Sequence, residues 1–210
     1  MKYRLMRHYW RWKEARTQQS GPYQVLFEPY EGDEVVSLDC ETTTLDVNAA
    51  EVLTIGAVKI RRGRRVTVSD RLDITLKPPR QFRPETVPFH RIREMDLESG
   101  ISIEEALTQL LAYIGNRPIL GYYVHYDLAV LDKFLFPYLG FHLPNKAIEL
   151  SDVYHSIIKW RSLGGGVDLR FDTIAKSLDL PIIERHTALG DAITVALMYV
   201  RLTQGDSLAL

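Results

Sequence analysis

Apolar positions along this chain first fall in short extended runs and later in helical repeats. "VVSLDCE" (35–41) is an apolar run that ends in two acids. Side chains alternate across a strand, so Asp39 and Glu41 share one face while Cys40 points to the other. "VLTIGAVKI" (52–60) is loosely alternating and rich in β-branched residues, "RRGRR" supplies a glycine-centred turn, and "VTVSDRLDITL" (66–76) runs back. These three segments predict a β-meander. The proline-rich "PPRQFRPETVPFH" (78–90) predicts irregular structure. "SIEEALTQLLAYIG" then reads as a helix, with Ser102 as its cap and Glu105 three residues on.

Beyond it, "PILGYYV" (118–124) predicts a short buried strand. "DLAVLDKFLFPYLG" (127–140) predicts a helix with Leu128, Leu131 and Phe134 on one face, and "AIELSDVYHSIIKW" (147–160) a strand leading into a helix. "FDTIAKSL" is a short helix and "TALGDAITVALMYVRL" (187–202) a long final one. "SLGGGVD" is a loop rather than a phosphate cradle, because no Gly-Lys-Ser/Thr follows it. A meander followed by alternating helices and strands predicts a mixed-sheet α/β domain.

The first 20 residues carry Lys2, Arg4, Arg7, Arg11, Lys13 and Arg16 against one acid, Glu14, with Leu5, Tyr9 and Trp12 at helical spacing. They predict a basic amphipathic helix ending near "SGP" at 20–22, within an extension over residues 1–30 that precedes a main domain at 31–210. Such a helix serves either as a nucleic-acid arm, with aromatics among cations, or as a packing stripe against the main domain, a polymerase or a second subunit. The formal net charge is -1, so a polyanionic partner must be held by local patches or bound cations. Cys40 is the single cysteine, which rules out an internal disulfide and fits a reducing compartment. The charged N-terminus is unlike a signal peptide, and no run approaches the roughly 18 apolar residues of a membrane span. A cytoplasmic protein without membrane contact is the expectation.

The chemistry lies in acids on separate elements. Asp127 stands where "PILGYYV" gives way to a helix. Like Asp152 and Asp172 it could be a helix-start residue, but it sits just past a buried strand's end, where ligands collect in α/β sheets. In "RHTALGDA", a continuous helix would turn His186 and Asp191 apart by about 140°. They converge if His186 lies in the loop and Thr187 caps a helix that carries Asp191 in its first turns. Carboxylates are hard ligands for Mg²⁺ or Mn²⁺. Two such ions about 4 Å apart can clamp a phosphodiester displacement, and a histidine titrating near neutrality can take a proton from water. The six histidines show no zinc-site spacing, and a serine-nucleophile elbow is absent.

"VVSLDCETTTLD", "ILGYYVHYDLAVLDKF" and "RHTALGDAITVALMY" resemble, in order and spacing, the three motifs of the DEDD 3′–5′ exonucleases. The chain is similar to the proofreading epsilon subunit of bacterial DNA polymerase III over roughly residues 33 to 205. Thr187 stands where the tyrosine branch has its tyrosine, so the last motif resembles the histidine (DEDDh) branch. The resemblance implies a ribonuclease H-like fold: a five-stranded mixed sheet, its first three strands antiparallel, flanked by helices. It implies Asp39, Glu41, Asp127 and Asp191 as ligands of two divalent cations, Mg²⁺ or Mn²⁺, and His186 as general base. Thr42, Thr43, His90 and Tyr123 fall where substrate would be held. The implied reaction releases nucleoside 5′-monophosphates from single-stranded DNA or RNA 3′ ends, with DNA favoured.

The chain departs from the family pattern at three places. Thr44 replaces a frequent glycine, Tyr122 and Tyr123 replace a frequent His-Asn pair, and His90 is followed by Arg91 rather than glycine. All leave the acids intact, and the changes at Thr44 and at Tyr122 and Tyr123 bear on substrate preference. The alternative is a non-catalytic nucleic-acid-binding or polymerase-associated module of the same fold.

Overall fold

The computed structural model describes residues 14–18, 21–62, 64–79, 87, 91–159 and 166–204. The basic N-terminal stripe of Leu5, Tyr9 and Trp12 lies outside them, as do His90 and most of the proline-rich segment. Within the described part of the N-terminal segment, residues 14–17 are helical.

The meander forms as the pattern predicts. Strand β1 (Glu34–Thr42) pairs antiparallel with β2 (Val52–Arg61), and β2 with β3 (Arg65–Thr75). On its other edge β1 runs parallel to β4 (Ile119–Gly121), and β4 to β5 (Ala147–Glu149). The order β3-β2-β1-β4-β5 is the five-stranded mixed sheet of a ribonuclease H-like fold. A parallel neighbour needs a crossover, and helix α1 (Ile103–Ile114) supplies it between β3 and β4. Its start is set as read: Ser102 accepts from the Glu105 N–H at 3.2 Å.

Helix α2 (Val124–Leu139) links β4 to β5, and α3 (Leu150–Lys159), α4 (Phe171–Ser177) and α5 (Ala188–Thr203) follow. The sequence placed the start of α2 at Asp127; the helix begins three residues earlier. The reason is non-local. Glu149, at the end of β5, accepts from the Tyr123 and Val124 N–H groups at 3.1 and 2.9 Å, satisfying amides that a new helix leaves without partners. The first two amides are thus met from β5 rather than by Asp127.

The two faces of the sheet bury separate cores. Val36, Leu38 and Cys40 of β1 join Leu107, Leu110, Leu111, Val130 and Leu131 from α1 and α2. Val58, Ile60 and Leu120 join α3, α4 and α5, with Val195, Ala196 and Met198 among the contacts. Helix α5 crosses the β1–β2 face, pinned by Ser37 Oγ donating to the Ala192 carbonyl at 2.7 Å. Among the described residues, no helix is long and apolar enough to cross a membrane.

Candidate active site

Ser37, Asp39 and Glu41 share the β1 face that α5 covers, so whatever begins α5 meets these acids. Two local devices fix that beginning. Thr187 Oγ1 accepts from the Gly190 N–H at 3.1 Å, which starts the helix at Ala188. His186 is left in the preceding turn with a left-handed backbone (φ 68°). The second device is Gly56, which faces Asp39 across the β1–β2 ladder. A Cβ there would lie 2.2 Å from the Leu189 nitrogen and 2.3 Å from the Ala188 carbonyl carbon. Only a residue without a side chain lets the first turn of α5 come this close to the sheet.

The result is a trio. Carboxylate oxygens of Asp39, Glu41 and Asp191 lie within 4.8 Å of one another, the one group among the described residues whose spacing could hold a metal ion. Asp127 reaches the same strand end from the opposite layer, outside that spacing. β4 stops at Gly121, short of Cys40, and the Asp127 carboxylate faces the Cys40 N–H and its own. It is 4% exposed. Cys40 points into the other core, as its parity predicts.

Such a cluster resists ionisation. Burial, then the charges of Asp127, Asp191 and Glu41, push the Asp39 carboxyl well above its ordinary range. Glu41 is raised to about 7 by burial and by Asp191. Burial also raises Asp127 and Asp191. Asp39 and Glu41 are half-buried and Asp127 and Asp191 buried, and acids held this close carry their full charge only beside a compensating cation. One oxygen has a lone pair to spare: Asp191 Oδ1 is buried without a hydrogen-bond partner among the described residues, while Oδ2 takes an Arg185 N–H. Hard oxygen donors with an unmet lone pair fit a divalent cation.

His186 is half-buried beside Asp191. Burial and the positive charges of Arg185 and Arg91 lower its pKa below 6.5, so at neutral pH the imidazole is uncharged and can accept a proton. Arg91 thus approaches the site although its neighbour His90 lies outside the described residues. Tyr123 stands at the rim, 67% exposed, with left-handed backbone (φ 58°). Its ring meets Tyr122 edge-on at 4.8 Å. Thr42 and Thr43 shape the turn after β1. Thr42 Oγ1 lies 2.7 Å from the Tyr126 hydroxyl, and Thr43 Oγ1 accepts from the Glu51 N–H at 3.0 Å.

The sequence reading missed Arg185, Glu149 and Gly56. Arg185 adjoins the motif histidine, and its place in the motif was the available signal. Glu149 and Gly56 act through partners 25 or more residues away and left none.

A family model described as Exonuclease (RNase_T) matches residues 36–199. A PolC-type DNA polymerase III of Thermotoga petrophila is 29% identical over 175 residues, covering 83% of this chain and 12% of the polymerase. The chain thus spans about an eighth of that relative. The DNA polymerase III epsilon subunit of Aquifex aeolicus is 24% identical and 80% of each chain is covered. Among solved structures, E. coli exonuclease I in complex with a dT13 oligonucleotide superposes with TM-score 0.68 at 16% identity, over 82% of this chain and 41% of that one.

Proposed function

Because the chain belongs to the RNase_T family of exonucleases, we propose that it is a metal-dependent 3′–5′ exonuclease of the histidine branch. Its reaction is hydrolysis of the 3′-terminal phosphodiester of single-stranded nucleic acid, DNA in preference, to nucleoside 5′-monophosphates. The observation that carries this reading is the convergence of Asp39, Glu41 and Asp191, from β1 and α5, with one Asp191 oxygen left unsatisfied.

Asp39, Glu41 and Asp191 would hold one divalent cation, and Asp39 with Asp127 a second. Mg²⁺ or Mn²⁺ bound there supplies charge neutralisation for the acids and the phosphate, and activates water. The protein's own groups do the rest. His186, kept neutral by burial and two arginines, takes the proton of the attacking water on an unprotonated ring nitrogen. Thr187 stands where the tyrosine branch carries its tyrosine, and its hydroxyl is spent on capping α5. Tyr123 offers an exposed ring for stacking on the terminal base or ribose, and Thr42 and Thr43 border the same end of β1; His90 joins them from its place in the sequence alone. Single strands are favoured because stacking and phosphate contacts need no sequence readout. The solved structure of exonuclease I with dT13, similar in fold, supports that choice.

The test is digestion of matched 5′-labelled DNA and RNA oligomers with Mg²⁺ or Mn²⁺. Stepwise shortening from the 3′ end is expected, faster on DNA, and lost in Asp191→Ala. Inert wild-type protein on both substrates with both metals would return the chain to the binding-module alternative. His186→Ala should cost about 10²–10⁴-fold in rate; full activity in that variant would reassign the base.

A further inference from the structure

Arg185 is the cation that the acid cluster already possesses. Its guanidinium engages Asp191 Oδ2, lies 4.1 Å from the centre of the Phe171 ring, and places Nε 3.6 Å from Asp172 Oδ1. Phe171 is buried and braced edge-on by Tyr122 at 5.3 Å, whose hydroxyl is tied to the Leu169 carbonyl at 2.9 Å. The guanidinium thus rests on a fixed aromatic platform between two acids of unlike setting. Asp191 is 6% exposed and belongs to the trio; Asp172 is 75% exposed and lies outside it.

We infer that Arg185 is a positioning residue that acts as a resident counter-ion: it holds Asp191 while the site lacks divalent cations, releases that carboxylate as they bind, and so sets their affinity. This rests on the metal-dependent reading proposed above. The chemistry is direct. A guanidinium stays charged at any working pH, so the pairing cannot be relieved by losing a proton. A cation that needs both Asp191 oxygens must displace the arginine from Oδ2, and a charge-assisted hydrogen bond opposes it. The displaced group would have a berth nearby, because Phe171 and Asp172 already contact the same guanidinium. The same charge offsets part of the upward push that burial gives Asp39, Glu41 and Asp191. It limits repulsion among the acids before metal arrives.

Mn²⁺ binding by titration calorimetry and melting in EDTA, both at pH 8, test this without reference to nuclease activity. Arg185→Met keeps an apolar stem on Phe171 and removes the charge. It should bind Mn²⁺ roughly tenfold more tightly, a share of one charge-assisted bond, and should melt about 2–4 °C lower in EDTA. Asp172→Asn, an exposed change, should weaken Mn²⁺ binding several-fold in the wild-type background. It should do nothing in the Arg185→Met background, since its effect passes through the arginine. Unchanged or weaker Mn²⁺ affinity in Arg185→Met overturns the inference, and so does an Asp172→Asn effect that persists without the arginine. If the wild type binds no Mn²⁺, the metal-dependent reading itself fails.

Discussion

The two faces of β1 use the same backbone for opposite ends. On one, Val36, Leu38 and Cys40 meet α1 and α2 in an apolar cluster. On the other, Ser37 grips α5 while Asp39 and Glu41 face Asp191. Leu38 and Asp39 are neighbours in sequence, yet burial stabilises the fold through the first and opposes it through the second. Apolar burial contributes roughly 25 cal/mol per Å², whereas a carboxylate forced toward other carboxylates keeps its proton or costs stability. A catalytic site built on a central strand needs the first face to hold the second in place. Proteins commonly carry such local instability where they function.

The sharpest way to break the contrast is to exchange one residue on each face. Asp39→Asn should lower exonuclease rate by about 10³-fold or more, as expected when a site loses a group that neutralises charge at the reacting phosphate. It should at the same time raise the melting temperature of the metal-free protein by about 2–4 °C, because one repelling acid is gone. Leu38→Ala should do the reverse. A stability loss of about 2–5 kcal/mol by urea unfolding should accompany near-normal activity in the fraction that stays folded.

Gly56→Ala tests the approach that joins the faces. Its methyl would meet the Ala188–Leu189 backbone, so α5 must shift away from Asp39. The change should cost about 1–3 kcal/mol and depress kcat by more than the loss of folded protein explains. A variant with normal kcat would show that the spacing of α5 from the sheet is not what assembles the trio.

Smaller effects sharpen the picture at its edges. Tyr123→Ala should raise KM on single strands with little change in kcat, by an amount matching the roughly 1–3 kcal/mol of one base stack. The pH dependence follows from Glu41. Its carboxyl, ordinarily at 4.5, is held up to about 7 in the folded chain. The folded state therefore keeps a proton that the unfolded state has lost, and stability falls as pH rises from 4.5 through about 7. Asp132, raised to about 6 by burial, acts in the same direction over a lower window. In EDTA, melting temperature should decline from pH 5 to 7.5, less in Glu41→Gln, and saturating Mn²⁺ should flatten the slope. A flat profile in EDTA would remove the electrostatic half of the contrast.

Local rules made much of this legible in advance. Strand parity put Asp39 and Glu41 together and Cys40 behind them; the Thr187 cap set His186 ahead of a helix that carries Asp191; the Ser102 cap and the three-strand meander formed where the pattern placed them. These depend on interactions spanning a few residues, which a sequence displays directly. Tertiary structure decided the rest. Asp127 gained its position by facing a β1 amide that β4 stops short of, and α2 began early because Glu149 came from β5 to meet its first amides. The place of α5 depends on a bare glycine on β2, and Arg185 found its balance between Asp191 and Asp172 on the Phe171 ring. Each of those contacts joins residues distant along the chain, so its energy exists only after the layers have packed.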